Sequence, residues 1–257
     1  MGKKTATVIT VICALVFVFS AFMIGKELYG QQQSKEEFNE LAELIITETV
    51  TLEETRPAQT EPGETPPSIA GVEYVRNIDP VLVRNEDCIG WLRIEGTAVD
   101  YPVMHTPEDP EYYLHRGFRK QKSAAGVPFM DGKCTMECDH LILYGHNMKN
   151  GTMFADVTRY RDRSYWENHP IVELQTGSGA KQYRIFAVIF AKSSDDWYFI
   201  HKAYDEIQYN EEVAKLQSRS LYDTGVTPVY GQQLLSLSTC YGAAKDDRIL
   251  VIAAEMP

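Results

Sequence analysis

The first 25 residues show the sharpest contrast in polarity along the chain. Lys3 and Lys4 precede a stretch, residues 5–25, that contains no charged residue. A helix of that length, at about 1.5 Å per residue, spans the roughly 30 Å hydrocarbon core of a membrane. A cleaved signal peptide has a shorter apolar region and a small-x-small cleavage site, which "AFMIGKE" lacks. We therefore predict an uncleaved transmembrane anchor at residues 5–25, with residues 1–4 as a cytoplasmic tail and the rest of the chain outside the cell.

Residues 26–71 are predicted to connect this anchor to a folded domain. Within residues 31–50, apolar residues recur at helical spacing on one face, for example at Phe38, Leu41 and Ile45, which predicts a stalk helix. Residues 51–71 contain four prolines, several Glu and Thr, and few apolar residues. That composition predicts a disordered, extended spacer, and we interpret it as giving the domain reach from the membrane.

Residues 72–257 have the pattern of a folded domain. After a short helical segment near its start, brief apolar, β-prone runs alternate with turn residues. The eight candidate strands are residues 89–94, 98–104, 126–131, 140–145, 171–176, 183–191, 233–239 and 248–254. Helical composition interrupts them at residues 152–169 and 210–221. Many short strands predict a mainly β domain with added helices, closed or nearly closed into an eight-stranded barrel, because closure removes exposed strand edges.

The composition and the absence of certain motifs exclude several classes of function for this protein. A hydrophobic content of 44% over 257 residues is enough for a packed core. The formal net charge of −11 argues against nucleic acid as a partner, since nucleic-acid binding requires a basic face. The sequence has neither a glycine-rich phosphate loop nor an H-E-x-x-H metal motif. We therefore expect no cofactor and no catalytic metal.

The five cysteines are too few and too scattered for a disulfide framework. Cys13 lies within the predicted anchor, and Cys88 is interpreted as a small buried residue. Cys134 and Cys138 in "DGKCTMECDHL" are most simply two free thiols. A local disulfide, or a metal site that adds His140, remains an alternative, although the spacing is loose and no second ligand pair exists.

The last predicted hairpin, "LSLSTCYGAAKDDRILVIAA", combines a thiol with a guanidinium. Cys240 ends one apolar strand and Arg248 begins the next, so a seven-residue loop can bring them together on adjacent strands. A fixed positive charge beside a thiol favours the nucleophilic thiolate, and a guanidinium can hydrogen-bond a developing oxyanion. The alternative is an ordinary buried cysteine and a surface arginine.

A nucleophilic thiol also needs an acid/base group. His146 follows the apolar run "HLILYG" and precedes the turn "NMKNG", so it can line a groove at a strand end. His140, at the start of the same run, is a weaker candidate. The remaining histidines lie in polar segments and are interpreted as solvated or capping residues: His105, His115, His169 and His201.

Taken together, "LSTC", an arginine on the next strand, and "YGHN" about a hundred residues earlier resemble the sortases, membrane-anchored transpeptidases of Gram-positive bacteria. The resemblance is to class B in particular, through "NEDCIGWLRIEGTAVDYPVM", "YYLHRGF", "AGVPFMD", "LILYGHNMKNGTMFADVTRY" and "LQSRSL". It covers roughly residues 72–257. The predicted anchor and stalk agree with it independently.

The resemblance implies a fold and a set of roles. The fold would be an eight-stranded β-barrel with the helix around residues 210–221 inserted before the seventh strand. Cys240 would be the nucleophile, His146 the acid/base, and Arg248 the group that stabilises the oxyanion and positions the peptide. The residues implied to line the peptide groove are Leu114, Tyr144, Ser238 and Thr239.

The implied reaction is cleavage of a C-terminal sorting motif of secreted proteins after threonine, followed by joining to a peptidoglycan amine. Asp109 and Pro110 stand where class B sequences often read Asp-Asn, and Tyr241 follows the cysteine where a small or acidic residue is common. Both departures concern the substrate motif rather than the reaction. The alternatives are a thiol peptidase, a pilin-polymerising sortase that uses a pilin lysine, and a non-catalytic binding module.

Overall fold

The computed structural model describes residues 3–51, 72–195 and 205–257, and the strands of its main sheet close into a barrel. The helices are α1 (Lys3–Glu43), α2 (Asp79–Leu82), α3 (Arg163–Asn168) and α4 (Glu206–Arg219), with 3₁₀ turns at Tyr112–His115 and Asp156–Arg161. The strands are β1 (Ile46–Thr51), β2 (Val72–Asn77), β3 (Cys88–Arg93), β4 (Asp100–Met104), β5 (Phe129–Met130), β6 (His140–Tyr144), β7 (Ile171–Thr176), β8 (Gly179–Lys192), β9 (Leu234–Cys240) and β10 (Asp247–Glu255).

Eight strands form the barrel in the order β10-β8-β7-β3-β4-β5-β6-β9. The pairs β4–β5 and β6–β9 are parallel, and the other described pairs are antiparallel. Each barrel strand overlaps one of the eight predicted runs, so the predicted fold class is confirmed. The strongest runs are buried nearly throughout, as in β9, where every residue from Leu234 to Thr239 is buried. Such a strand is buried on both faces, and its polar members Ser236 and Thr239 form hydrogen bonds with neighbouring segments.

Helix α4 enters the chain between β8 and β9, directly before the seventh barrel strand, as predicted. Its start is fixed by a capping box, in which the Gln208 backbone N–H donates to the Asp205 carboxylate at 2.8 Å. Tyr209, Val213 and Leu216 are buried at helical spacing. The amphipathic pattern therefore holds this helix against the barrel.

The segment that leads into the barrel differs from the prediction. The sequence predicts a short helical segment within residues 74–87. The chain there first completes strand β2 and then forms only the single helical turn of α2, with Pro80 in its first turn. The partner of β2 is β1, which lies in the predicted stalk. The extended conformation of β1 and β2 results from their pairing with each other, and the local sequence of neither segment predicts it.

Helix α1 runs without interruption from the apolar stretch to the barrel. By length and composition it is able to cross a membrane, and the described side chains before Lys26 are exposed. Farther along, Phe38 and Leu41 are buried against the barrel, each burial being worth roughly 1.5–3 kcal/mol. The stalk helix is thus present, but it ends at Glu43 and is docked on the domain.

The docked end of α1 also makes polar contacts. The buried Glu37 carboxylate accepts hydrogen bonds from the Arg119 backbone N–H at 3.1 Å and from Gln121 Nε2 at 2.8 Å. Gln31 Oε1 accepts from Asn150 Nδ2 at 3.1 Å. The helix therefore contacts both the segment around Arg119 and the loop that contains Asn150.

Residues 51–71 were interpreted as a spacer that extends the domain away from the membrane, and the structure contradicts that extension. Strand β1 pairs antiparallel with β2, so that Ile46 lies opposite Asn77 and Thr51 lies opposite Val72. The chain therefore leaves and re-enters the structure at the same place, and the intervening segment adds no distance between anchor and barrel. The predicted disorder concerned residues 51–71, of which Thr51 ends β1 and residues 52–71 lie outside the described part of the chain.

Candidate active site

Cys240 and Arg248 lie directly opposite each other at the end of the β9–β10 ladder. The Tyr241 backbone N–H donates to the Asp247 carbonyl at 3.1 Å and closes the ladder next to them. Cβ atoms of directly opposed residues lie about 4.5–5.5 Å apart and point to the same face. Cys240 is exposed whereas the rest of β9 is buried. Cys240 and Arg248 are therefore cross-strand neighbours, as the hairpin pattern predicts.

The connecting loop orients the Arg248 side chain. Its Nη1 group donates to the carbonyls of Lys245 and Asp247, at 2.9 Å in each case. Within the described residues its Nε and Nη2 groups make no further hydrogen bond. One branch of the guanidinium is thus fixed to the loop, and the other donors are available to a ligand.

His146 directly follows Gly145 at the end of β6, and a backbone carbonyl fixes its ring. Nε2 lies 2.9 Å from the Leu114 carbonyl oxygen. A carbonyl can only accept, so Nε2 carries a proton, and Nδ1 is the nitrogen of the neutral ring that can take up another. The Phe154 backbone N–H donates to the His146 carbonyl at 2.8 Å and fixes the main chain.

A glycine makes the contact between Leu114 and His146 possible. Gly126 has φ +61°, and a Cβ atom there would lie 2.5 Å from the Leu114 carbonyl oxygen and 2.6 Å from that of Tyr113. A side chain at this position would therefore push away the carbonyl that holds the imidazole.

Three hydrogen bonds tie the end of β6 to the end of β9. Asn147 Nδ2 donates to the Cys240 carbonyl at 3.1 Å, and the Thr239 hydroxyl donates to the Gly145 carbonyl at 2.7 Å. The Gly145 N–H donates to the Ser238 carbonyl at 3.2 Å. Because β6 and β9 run parallel, His146 and Cys240 follow the same end of the sheet. Sequence reasoning missed Asn147, although it stands beside His146 in the motif "YGHN".

The predicted groove residues do not all lie on one face. Tyr144 is in register with Ser238, and Ser238 is two residues before Cys240, so these three residues share a face. The Tyr144 hydroxyl donates to Asp131 Oδ2 at 2.8 Å. Thr239 lies on the opposite face and is only 2% exposed. Its hydroxyl donates to the Gly145 carbonyl, and the groove role of Thr239 stays a prediction, as does that of Ser238, which is 1% exposed. Leu114 contributes its carbonyl to the site.

His115 is exposed at the end of the 3₁₀ turn, as the sequence suggested, and it also contacts the acid/base candidate. Its ring stacks on that of His146, with centroids 5.5 Å apart and an interplanar angle of 25°. Burial lowers the pKa of His146, the charge of His115 lowers it further, and the hydrogen bond to Leu114 acts in the opposite direction. The net shift is downward, so His146 is neutral over a wider pH range than a free histidine.

We expect His115→Asn to raise the pKa of His146. The substitution removes a nearby positive charge and opens the ring to water, and both changes favour the imidazolium form. Titration of the imidazole resonances by NMR measures the shift. His169→Asn is the control, because His169 contacts Tyr165 and the Glu95 carbonyl instead. An unchanged or lower pKa in His115→Asn would contradict the assigned coupling.

The other barrel cysteines differ from Cys240 in exposure. Burial raises the pKa of Cys88 to about 11 and that of Cys134 to about 12, so both are protonated thiols at neutral pH. Cys134 and Cys138 are free thiols, and the described residues contain no group of three or more potential metal ligands. His140 Nε2 lies 2.7 Å from the Ser236 hydroxyl instead.

Tyr241, one of the two noted departures, forms an aromatic wall beside the thiol. Its ring stacks on Phe190 with centroids 4.8 Å apart and an interplanar angle of 10°. Its hydroxyl accepts from Arg161 Nη1 at 3.4 Å. A bulky, fixed side chain therefore follows Cys240.

In the comparison with known proteins, a single family matches nearly the whole of the barrel. The family model of the sortase domain matches residues 92–256. Sortase B of Listeria monocytogenes serovar 1/2a is 29% identical over 243 residues, which cover 93% of this chain and 89% of that protein.

Solved structures give the same result. The structure of a Staphylococcus aureus sortase B–substrate complex superposes with a TM-score of 0.64 at 25% identity, covering 69% of this chain and 83% of that one. The structure of Clostridium perfringens sortase B gives a TM-score of 0.65 at 28% identity, covering 70% of this chain and 100% of that one. The similarity therefore includes the strands that carry Cys240, Arg248 and His146.

Proposed function

This chain belongs to the sortase family, in its class B branch, and we propose that it is a cysteine transpeptidase that attaches secreted proteins to the cell wall. The observation that carries the proposal is the opposition of an exposed Cys240 and a loop-held Arg248 at the sheet end that His146 follows. Nucleophile, electrostatic stabiliser and acid/base are the three groups that acyl transfer requires.

In the first half-reaction, a sorting-motif peptide lies against Tyr144 and the exposed Cys240. The Cys240 sulfur attacks the carbonyl carbon of the threonine while the thiol proton passes to His146, and the oxyanion that forms is stabilised by the available Arg248 donors. His146 donates a proton to the departing amine as the peptide bond breaks. The products are a thioester on Cys240 and the free C-terminal fragment.

In the second half-reaction, an amine of the peptidoglycan attacks the thioester. His146 accepts a proton from this amine, the new amide bond forms, and Cys240 leaves as the thiol or thiolate. The secreted protein is then joined covalently to the wall. The low pKa of His146 suits this role, because a neutral imidazole is needed to accept the proton.

The proposed location is the outer surface of the cytoplasmic membrane. The uncharged stretch of α1 supports a single span, and the two preceding lysines support a cytoplasmic N-terminus. This orientation places the barrel where secreted proteins and peptidoglycan meet.

The test is a product assay with the full-length protein in detergent and a library of sorting pentapeptides. Mass spectrometry should detect cleavage after threonine and, with an added peptidoglycan-derived amine, a ligated product. Free acid as the product with every amine would favour the peptidase alternative. Ligation to a lysine-bearing pilin peptide alone would favour the pilin-polymerising alternative. A library that stays intact would contradict the proposed function.

A further inference from the structure

A cleft of about 540 Å³ lies between α1 and the segment that carries His115. One wall is α1 from Met23 to Ser34. The other wall is formed by Tyr112 to Arg116 and by Lys122 to Ala125. The Ser34 and Ser123 hydroxyls, 3.1 Å apart, link the two walls. The cleft is separate from the face shared by Tyr144, Ser238 and Cys240.

The charge in this cleft is opposite to that of the whole chain. Lys26, His115, Arg116 and Lys122 line it, and no carboxylate does so among the side chains that the structure describes. The chain has a formal net charge of −11. Three side chains that are permanently cationic at neutral pH, without a carboxylate, therefore form a local site for an anion.

The basic groups of the cleft are not neutralised by neighbouring carboxylates. The Arg116 guanidinium lies 4.5 Å from the centre of the Tyr112 ring and donates to the Lys120 carbonyl. Lys26 and Lys122 form no ion pair with the described residues. Glu37 and Glu40 of α1 pair with Arg119 outside the cleft.

The position of the cleft along α1 sets its height relative to the membrane. Met23 belongs to the last turn of the uncharged stretch, and Lys26 is the first charged residue after it. Both line the cleft. The end of an apolar span lies at the membrane interface, where lipid phosphate groups are found. The cleft therefore opens into the layer of lipid head groups.

We propose that this cleft binds the phosphate group of an anionic phospholipid of the outer leaflet. Lys26, Arg116 and Lys122 hold the phosphate oxygens, because charge-assisted hydrogen bonds from Lys and Arg are the strong contacts to phosphate. The inference rests on the proposed membrane orientation and is independent of the catalytic assignment. A bound lipid fixes the barrel against the membrane beside the His115–His146 stack.

The test uses the full-length protein reconstituted in nanodiscs that contain phosphatidylcholine and phosphatidylglycerol. Native mass spectrometry after release counts the lipid molecules retained by each protein. We expect preferential retention of phosphatidylglycerol, and we expect Lys26→Gln/Lys122→Gln to reduce its affinity by about tenfold or more. The matched control is Lys35→Gln/Lys149→Gln, which removes two exposed lysines outside the cleft. All variants keep Lys3 and Lys4.

Three outcomes would overturn the proposal. One is equal retention of phosphatidylcholine and phosphatidylglycerol by the unsubstituted protein. Another is an equal loss in the control pair, which would show general surface charge instead of a site. The third is displacement of the lipid by millimolar inorganic phosphate, which would show a site for free phosphate. Peptide cleavage in detergent should be unchanged in both double variants, so failure of this proposal is distinguishable from failure of the proposed function.

Discussion

Replacing Cys240 with alanine should abolish both cleavage and transfer, with a loss on the order of 10⁴-fold or more. The variant lacks the sulfur that forms the thioester, and no other thiol among the described barrel residues can take its place. Cys88, Cys134 and Cys138 are buried, and burial keeps Cys88 and Cys134 protonated at neutral pH. Peptide cleavage and amine ligation by the purified full-length protein measure the effect.

The matched controls for this variant are substitutions of the buried cysteines. Cys88→Ala, Cys134→Ser and Cys138→Ser should each leave activity within a few-fold, provided that circular dichroism shows a folded barrel. Dependence of activity on Cys134 or Cys138 in a folded variant, or its loss on addition of a chelator, would revive the disulfide or metal alternative. Full activity in Cys240→Ala would disprove the assignment of the nucleophile.

Arg248→Lys should reduce turnover on the order of 10²–10³-fold while the protein folds normally. One branch of the guanidinium donates to the Lys245 and Asp247 carbonyls, and the remaining donors make no further hydrogen bond with the described residues, on a residue that lies opposite Cys240. Lysine keeps the charge but cannot hold the loop and present further donors in a planar fork at the same time. Single-turnover acylation measured with a sorting peptide isolates the step that is affected.

Arg161→Lys is the control for this experiment, because Arg161 is exposed and contacts only the edge of the site through the Tyr241 hydroxyl. It should lose less than a few-fold. Arg248→Ala should be at least as slow as Arg248→Lys. Near-normal turnover in Arg248→Lys would mean that the residue contributes only its positive charge and not the hydrogen-bond donors of the guanidinium. Near-normal turnover in Arg248→Ala would mean that other groups hold the oxyanion.

The strands of the barrel were predictable because each is a short apolar run bounded by turn residues. The β9–β10 hairpin was predictable for the same reason, and it brings Cys240 and Arg248 together through a local loop. Strand β1 was not predictable, because it continues a stretch of helical spacing and its partner β2 lies more than twenty residues away. Long-range pairing has overridden local pattern there.

The candidate site also has parts that the sequence could predict and parts that it could not. The contacts of His146 with Leu114 and His115 join segments about thirty residues apart. The periodicity of apolar residues in a sequence does not predict contacts between such distant segments. The face of Thr239, by contrast, could have been predicted. Side chains alternate along a strand, so the neighbour of Cys240 in sequence must point away from it.

The ladder between β1 and β2 has a consequence for how the barrel stays attached to α1. Helix α1 and β1 precede residues 52–71, whereas β2 and the barrel follow them. A single cut within residues 52–71 would break the covalent connection to the anchor, but β1 would still pair with β2 and the buried face of α1 would still pack on the barrel. The barrel is thus held to α1 twice, once by the chain and once by non-covalent contacts, and a nicked chain would remain assembled.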